Sequence, residues 1–138
     1  MTTKSGPTRS GEWLLVAQNI LHLERTKVGA ITWWCVKSDS AVGDKCFLYR
    51  SLTGVVLYFE IIRFAPQSEG FCSAYQMATA QVKILKMFEP PITARALRRS
   101  PELKEAGFVR RNFQGKAFVV GEGMSTAILK LGQISAKL

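Results

Sequence analysis

The sequence predicts an α+β domain. Five or six short strands form one strongly curved sheet that closes into a small barrel, and two or three short helices flank it. Three observations point there. The chain has 138 residues, 47% of them apolar, enough for one packed core. Its apolar runs are short, rich in β-branched and aromatic residues, and bounded by turn residues. Helix start signals are confined to the second half.

The first eleven residues, Met1 to Gly11, are polar and read as a loose basic tail without the apolar stretch of a secretory leader. Residues 12–138 then form the domain. Trp13-Leu-Leu-Val-Ala17 reads as a strand. Gln18 to Val28, with His22, is a short helix or an ordered connection. Ile31 to Val36 is a second strand, and Gly43-Asp44 ends the turn that follows it. In that turn glycine supplies a positive φ and aspartate caps a backbone N–H. Lys45 to Arg50 and Val55 to Ile62 flank the tight turn Ser51-Leu-Thr-Gly54 and should pair as a hairpin.

Arg63 to Tyr75 is a loop long enough to serve function. Ala80 to Met87 is the next strand, and Pro90-Pro91 should stop it because proline has no N–H for a ladder. Thr93 is placed to cap a helix through Arg99. Ser100-Pro101 repeats the start signal for a second helix that Gly107 ends. Ala117 to Val120 reads as a strand, and Met124 to Leu131 as helix or strand. No repeat, heptad or membrane-length apolar run is visible, and a monomer is expected.

Charge is the strongest compositional clue. Nineteen Lys and Arg face ten Asp and Glu, a formal +9, which favours a polyanionic partner. Cys35, Cys46 and Cys72 lack any CxxC spacing. They read as reduced core residues, which points to the cytoplasm.

Catalytic chemistry finds little support. His22 is the one histidine, with no GxSxG serine, and Gly121-Glu-Gly123 is no phosphate loop. Asp39 and Asp44 flank a turn that needs no cation. No cofactor or metal is expected. What remains is aromatic residues among cations. Trp33 and Trp34 point to opposite faces of their strand, and Phe47 and Tyr49 share one face of theirs. Lys37, Lys45, Arg50 and Arg63 lie near them, and Arg110-Arg-Asn-Phe113 is a second basic, aromatic cluster. Aromatic platforms stack on bases while cations hold phosphates. Arg95, Arg98 and Arg99 form either a further phosphate-contacting patch or a solvated helix face.

The order of four segments resembles the EVE domain, a member of the PUA-like superfamily related to YTH and ASCH domains. They are Trp13 to Asn19; Ile31 to Trp34 followed by Val42 to Ser51; Gly54 to Ile61; and Pro91-Ile92 followed by Gly107 to Phe113. The resemblance implies a PUA-like barrel and a non-catalytic reader that takes a modified base, such as modified cytosine or N6-methyladenine, into an aromatic-lined pocket. Several relatives stand beside restriction or other defence modules, so an effector protein or fused nuclease is an expected partner. By that implication Trp33 or Trp34 stacks on the base, and Trp13, Leu14 and Asn19 border the pocket. Tyr49, Arg50 and Ser51 match the end of the Gly-Asp strand. Arg110, Arg111 and Asn112 match the segment that closes the pocket or holds the backbone; Lys37 and Arg63, read as cations near the aromatics rather than from the resemblance, are expected as further backbone contacts. The chain lacks the Asn-Tyr-Gln-Ala-Arg-Asn run of longer bacterial members.

Modified DNA is the preferred target and RNA the alternative. A small ASCH-like hydrolase would need Glu60 or Glu122 beside a lysine. A protein-binding module would instead expose an apolar patch.

Overall fold

The computed structural model describes residues 11–66, 70–72, 76–121 and 123–137. The expected tail before Gly11, Glu122 and parts of the 63–75 loop lie outside the described residues. In chain order the elements are β1 (Glu12–Ala17), α1 (Leu21–Glu24), β2 (Ile31–Lys37), β3 (Lys45–Arg50), β4 (Gly54–Phe64) and β5 (Met77–Ile92). They continue with α2 (Ala94–Arg99), α3 (Gly107–Arg110), β6 (Ala117–Val119) and α4 (Met124–Lys137).

The strands form one six-stranded sheet in the order β2-β5-β4-β3-β1-β6. The β3–β4 hairpin pairs antiparallel as expected, with Lys45 opposite Glu60, and β1 runs parallel to β3. The sheet is mixed and open, which corrects the expected barrel. Closure would require β2 to pair with β6. However, β6 has three residues, all paired to Trp13–Leu15, and β2 pairs only with β5.

Strand alternation divides the apolar residues between the two faces of the sheet. One face gathers Trp13, Leu15, Val36, Cys46, Leu48, Phe59 and Val82 beneath Ile20 and Leu23 at α1. The other gathers Leu14, Phe47, Tyr49, Tyr58 and Ile92 against Leu97, Phe108, Phe113 and Ile128 of the helical layer. Because both faces are covered, the central strands read as nearly continuous apolar runs. The segment 124–131, open between helix and strand, belongs to α4.

Two element boundaries differ from the sequence expectation. Strand β5 continues through Pro90-Pro91 to Ile92. Leu57 pairs with Met87 and Val55 with Ile92, so the residues from Phe88 to Pro91 bulge opposite Val56. A bulge already lacks ladder bonds, so it accommodates the missing proline donors. The ladder resumes where β4 begins. There a Cβ on Gly54 would lie 2.2 Å from the Ile92 carbonyl oxygen, so only glycine fits.

The second difference is that residues 101–106 are turns, and Gly107 opens α3 rather than ending a helix. The Ser100 hydroxyl donates to the Glu102 carboxylate at 3.0 Å instead of capping a backbone N–H. Thr93 does cap α2, its Oγ1 accepting from the Ala96 N–H at 3.1 Å.

The expectation of three reduced cysteines also fails. Cys35 and Cys72 form a disulfide with Cα atoms 5.8 Å apart, and Cys46 alone is free, buried in the core. Thr79, opposite Cys35 in the ladder, accepts from the N–H groups of Phe71 and Cys72 at 2.8 and 3.0 Å. Cys72 is thereby held over the β2–β5 edge. Cysteine spacing cannot reveal this, because the two residues meet only once β2 and β5 have paired.

Candidate nucleic-acid interface

The turn before β3 is organised by a buried carboxylate. Gly43 has φ 92°, and Asp44 Oδ2 accepts from the Ala41 N–H at 2.9 Å and the Trp13 indole N–H at 3.0 Å. Trp13 is therefore a core residue, 8% exposed, and Leu14 beside it is fully buried. Both pack into the core, and neither lines the cavity beside Tyr49 described below.

The adjacent tryptophans separate as strand alternation requires. Trp34 packs against the core beneath α1. Trp33 lies on the opposite face, with the Arg63 guanidinium 4.8 Å from its ring centroid. Arg63 also donates from Nε to Gln81 Oε1 at 3.1 Å, and Gln81 pairs with both Trp33 and Arg63. The row Trp33–Gln81–Arg63 is a cross-strand platform on the outer face. Lys37, further along that face, is ion-paired with Asp39 at 3.1 Å.

Strand β2, which carries both tryptophans, is three strand spacings from β3, roughly 14 Å across the sheet. The tryptophans and Tyr49 therefore do not line one pocket, which corrects the single aromatic-lined pocket. Asn19 and Arg50 are also apart from Tyr49. Asn19 Oδ1 accepts from the Leu21 N–H at 3.1 Å, at the start of α1. Arg50 reaches Glu24 at 3.1 Å, on the opposite face of β3 from Tyr49. His22 is occupied structurally, its Nε2 lying 2.6 Å from Thr32 Oγ1.

The structure does bring Tyr49, Ser51 and Asn112 together. They line a cavity of about 530 Å³ between the end of β3, α2 and the segment after α3. Its floor is a parallel stack of Tyr49 on Phe113, with centroids 4.2 Å apart at 4°. The rings are only 5% and 6% exposed, so little aromatic face is open to a ligand. Burial pushes the Tyr49 phenol above its ordinary pKa, which the nearby Arg98 charge partly opposes.

The rim is polar and cationic. Arg98 donates to Asn112 Oδ1, and its guanidinium lies 5.7 Å from the Phe113 centroid. With Oδ1 so engaged, the Asn112 Nδ2 remains as a donor. Ser51, Thr53, Arg95 and Gln114 complete the rim, and among the described residues no carboxylate or imidazole lines the cavity. Asn112 and Phe113 have φ of 55° and 60°, a left-handed pair that turns the chain back over β3. Arg110 and Arg111, exposed on α3 and its end, belong to the same segment.

Sequence reasoning left Arg98 and Phe113 outside the pocket and missed Thr53 and Gln114. The available signal was the Thr93 cap, which fixes the helical phase of Arg98, together with the basic, aromatic run ending at Phe113. Among the described residues no group of His, Cys, Asp or Glu is placed to hold a metal ion. No described helix is long and apolar enough to cross a membrane.

No family model matches the chain, and no curated protein matches it in sequence. Solved structures do match. A hypothetical protein from Leishmania major superposes with a TM-score of 0.68 at 19% identity, covering 91% of this chain and 96% of that one. Rpa0253 from Rhodopseudomonas palustris gives 0.66 at 18%, covering 89% and 93%. The YTH domain of Mmi1, solved in complex with RNA, gives 0.60 at 13%, covering 94% and 84%. At such identities the likeness is one of fold, and the fold is shared with the Mmi1 YTH domain.

Proposed function

We propose that this domain is a non-catalytic nucleic-acid reader that takes one base into the cavity over the Tyr49–Phe113 stack. The observation that carries this reading is the Arg98–Asn112 pair on that rim. A guanidinium supplies a planar surface for a base, and an amide supplies donors for a base edge. The volume falls within the roughly 300–1,000 Å³ range of small-molecule sites. A rim with arginines and no carboxylate suits a polyanion and offers no general acid or base. The formal charge of +9 supports the same partner.

The target we propose is a modified base of DNA, with modified cytosine or N6-methyladenine as candidates, flipped out of its strand. RNA is the second reading, favoured by the complex of the Mmi1 YTH domain with RNA on the same fold. Ribose 2′-hydroxyl contacts would separate the two. Arg110 and Arg111 beside the cavity, and Lys37, Arg63 and Trp33 on the outer platform, are proposed backbone and stacking contacts. An effector chain or fused nuclease would act on what the domain reads.

The test is binding at two salt concentrations to matched DNA and RNA sets, single- and double-stranded. These would be unmodified or carry 5-methylcytosine, 5-hydroxymethylcytosine or N6-methyladenine. Tight binding to one modification, lost in Asn112→Gly, is the expected result. Equal, salt-erased binding to every oligonucleotide would reduce the domain to a generic basic surface, and no binding at all would overturn the reading.

A further inference from the structure

The base cavity is one of two hollows that meet at α2. The second, about 600 Å³, lies between α2 and α4 and shares Thr93 and Arg95 with the first. Helical phase distributes the α2 arginines between them. Arg98 lines only the base cavity, Arg99 lines only the second cleft, and Arg95, one turn before Arg99, lines both.

Across the cleft α4 contributes Lys130, and the floor between is apolar, built from Pro101, Ala127 and Leu131. Among the described residues one carboxylate lines the cleft, that of Glu102, and it accepts from the Ser100 hydroxyl. Among the described residues Arg95 and Arg99 form no ion pair. They are exposed, as is Lys130. Among the described residues three cations face one carboxylate around a cleft that shares Arg95 with the base cavity, a lining that suits a linear polyanion.

We propose that the α2–α4 cleft holds the single strand flanking the bound base. Arg95 guides the backbone out of the cavity, Arg99 and Lys130 hold its phosphates, and the apolar floor receives a neighbouring nucleoside. The inference rests on the base-cavity reading above. Continuity through Arg95 favours a nucleic-acid strand over an acidic protein segment, which would have no reason to begin at the base cavity.

The experiment compares the wild type, an Arg99→Gln/Lys130→Gln double variant and Asn112→Gly. The probes are fluorescein-labelled single strands of two and twelve nucleotides, as DNA and as RNA, each with and without a central 5-methylcytosine or N6-methyladenine. Affinities are measured from 50 to 200 mM salt, and circular dichroism confirms that each variant is folded. Each lost phosphate contact lowers the salt slope by about 0.7 on a single strand, so the double variant should lower it by roughly 1.4 on the twelve-mer.

The double variant should also bind the twelve-mer about tenfold more weakly, bind the dinucleotide unchanged, and keep its preference among bases. Unchanged twelve-mer affinity and slope would overturn the inference and return the cleft to a protein partner, leaving the base reading intact. A reduced slope in a protein that never discriminates between bases would support the cleft and remove the base reading. Failure of the wild type to bind any strand would overturn both.

Discussion

Tyr49 and Phe113 stack almost parallel, their centroids 4.2 Å apart, and so fasten β3 to the segment that leaves α3. Phe108 touches the same ring at 6.3 Å, so the stack is the outer end of an aromatic row running into the core. Phe113→Ala removes the joint. Truncating a buried phenylalanine costs about 3–5 kcal/mol, and urea unfolding of this variant should fall in that range. A loss below about 1 kcal/mol would mean that the segment docks without its anchor.

Asn112→Gly separates recognition from folding. Glycine adopts the left-handed backbone at position 112 without strain, so the fold should be retained. The amide that receives Arg98 and faces the cavity is lost. Discrimination between bases should drop about tenfold, in line with the roughly 1–3 kcal/mol of a good base-edge contact. Isothermal titration with the preferred oligonucleotide checks it; full discrimination in the variant would exclude Asn112 as the reading group.

The Cys35–Cys72 bond closes a loop of sequence separation 37. On the chain-entropy model a crosslink of that span stabilises by up to about 4 kcal/mol. Dithiothreitol, or the Cys35→Ser/Cys72→Ser pair, should therefore lower Tm, with the two treatments not additive. Cys46 is buried and its thiol is pushed above the usual range, first by burial and then by Asp44 and Glu12. It should resist alkylation until the protein unfolds. An unchanged Tm on reduction would show that the crosslink constrains little.

Glu12 gives a pH signature. Burial raises its carboxyl pKa above the ordinary 4.5, and Asp44 adds to this. The hydrogen bond from Tyr58 at 3.3 Å and the charge of Lys45 oppose the rise. The folded state thus holds this proton more tightly than the unfolded chain. Its stabilising contribution is present below about 4.5 and lost as pH rises through the raised value. Glu12→Gln keeps an acceptor for Tyr58 and carries no charge. It should be more stable than the wild type at neutral pH, and the gain should vanish at pH 4. A gain independent of pH would point away from desolvation.

The strands were legible because each is a short run of β-branched and aromatic residues ended by glycine, proline or a polar turn. Val55 to Ile62 and Ile31 to Val36 are the clearest cases. The Thr93 cap and the Gly43-Asp44 turn were legible because both are local hydrogen-bond arrangements between near neighbours. Pro90-Pro91 misled because a bulge opposite Val56 is a property of two paired strands, and neither sequence displays it alone. Ser100 misled because its hydroxyl has a nearer partner in Glu102 than the backbone it was expected to cap.

The pocket was harder to read than the fold. Trp33 and Trp34 lie on opposite faces as strand alternation predicts, but neither reaches Tyr49, whereas Tyr49 and Asn112, far apart in sequence, meet. Only the helical layer docking on β3 makes that meeting, and no spacing rule encodes it. Barrel closure was expected because it would protect the sheet edges and because the family resemblance implies it, but it depends on β6 being long enough to meet β2.

The parallel pairing of β1 with β3, and its antiparallel pairing with β6 on the other side, bear on synthesis. Strand β1 cannot find its first neighbour until β2 has been passed over and Arg50 has emerged. Its second neighbour arrives only with Val119. On the ribosome the β3–β4–β5 meander can form early and take up β1 beside β3, while the β6 edge of β1 stays open. Until Arg50 has emerged β1 is therefore an unpaired apolar strand, and its other edge stays open until Val119, which makes the emerging domain a natural client for chaperones that bind short apolar segments.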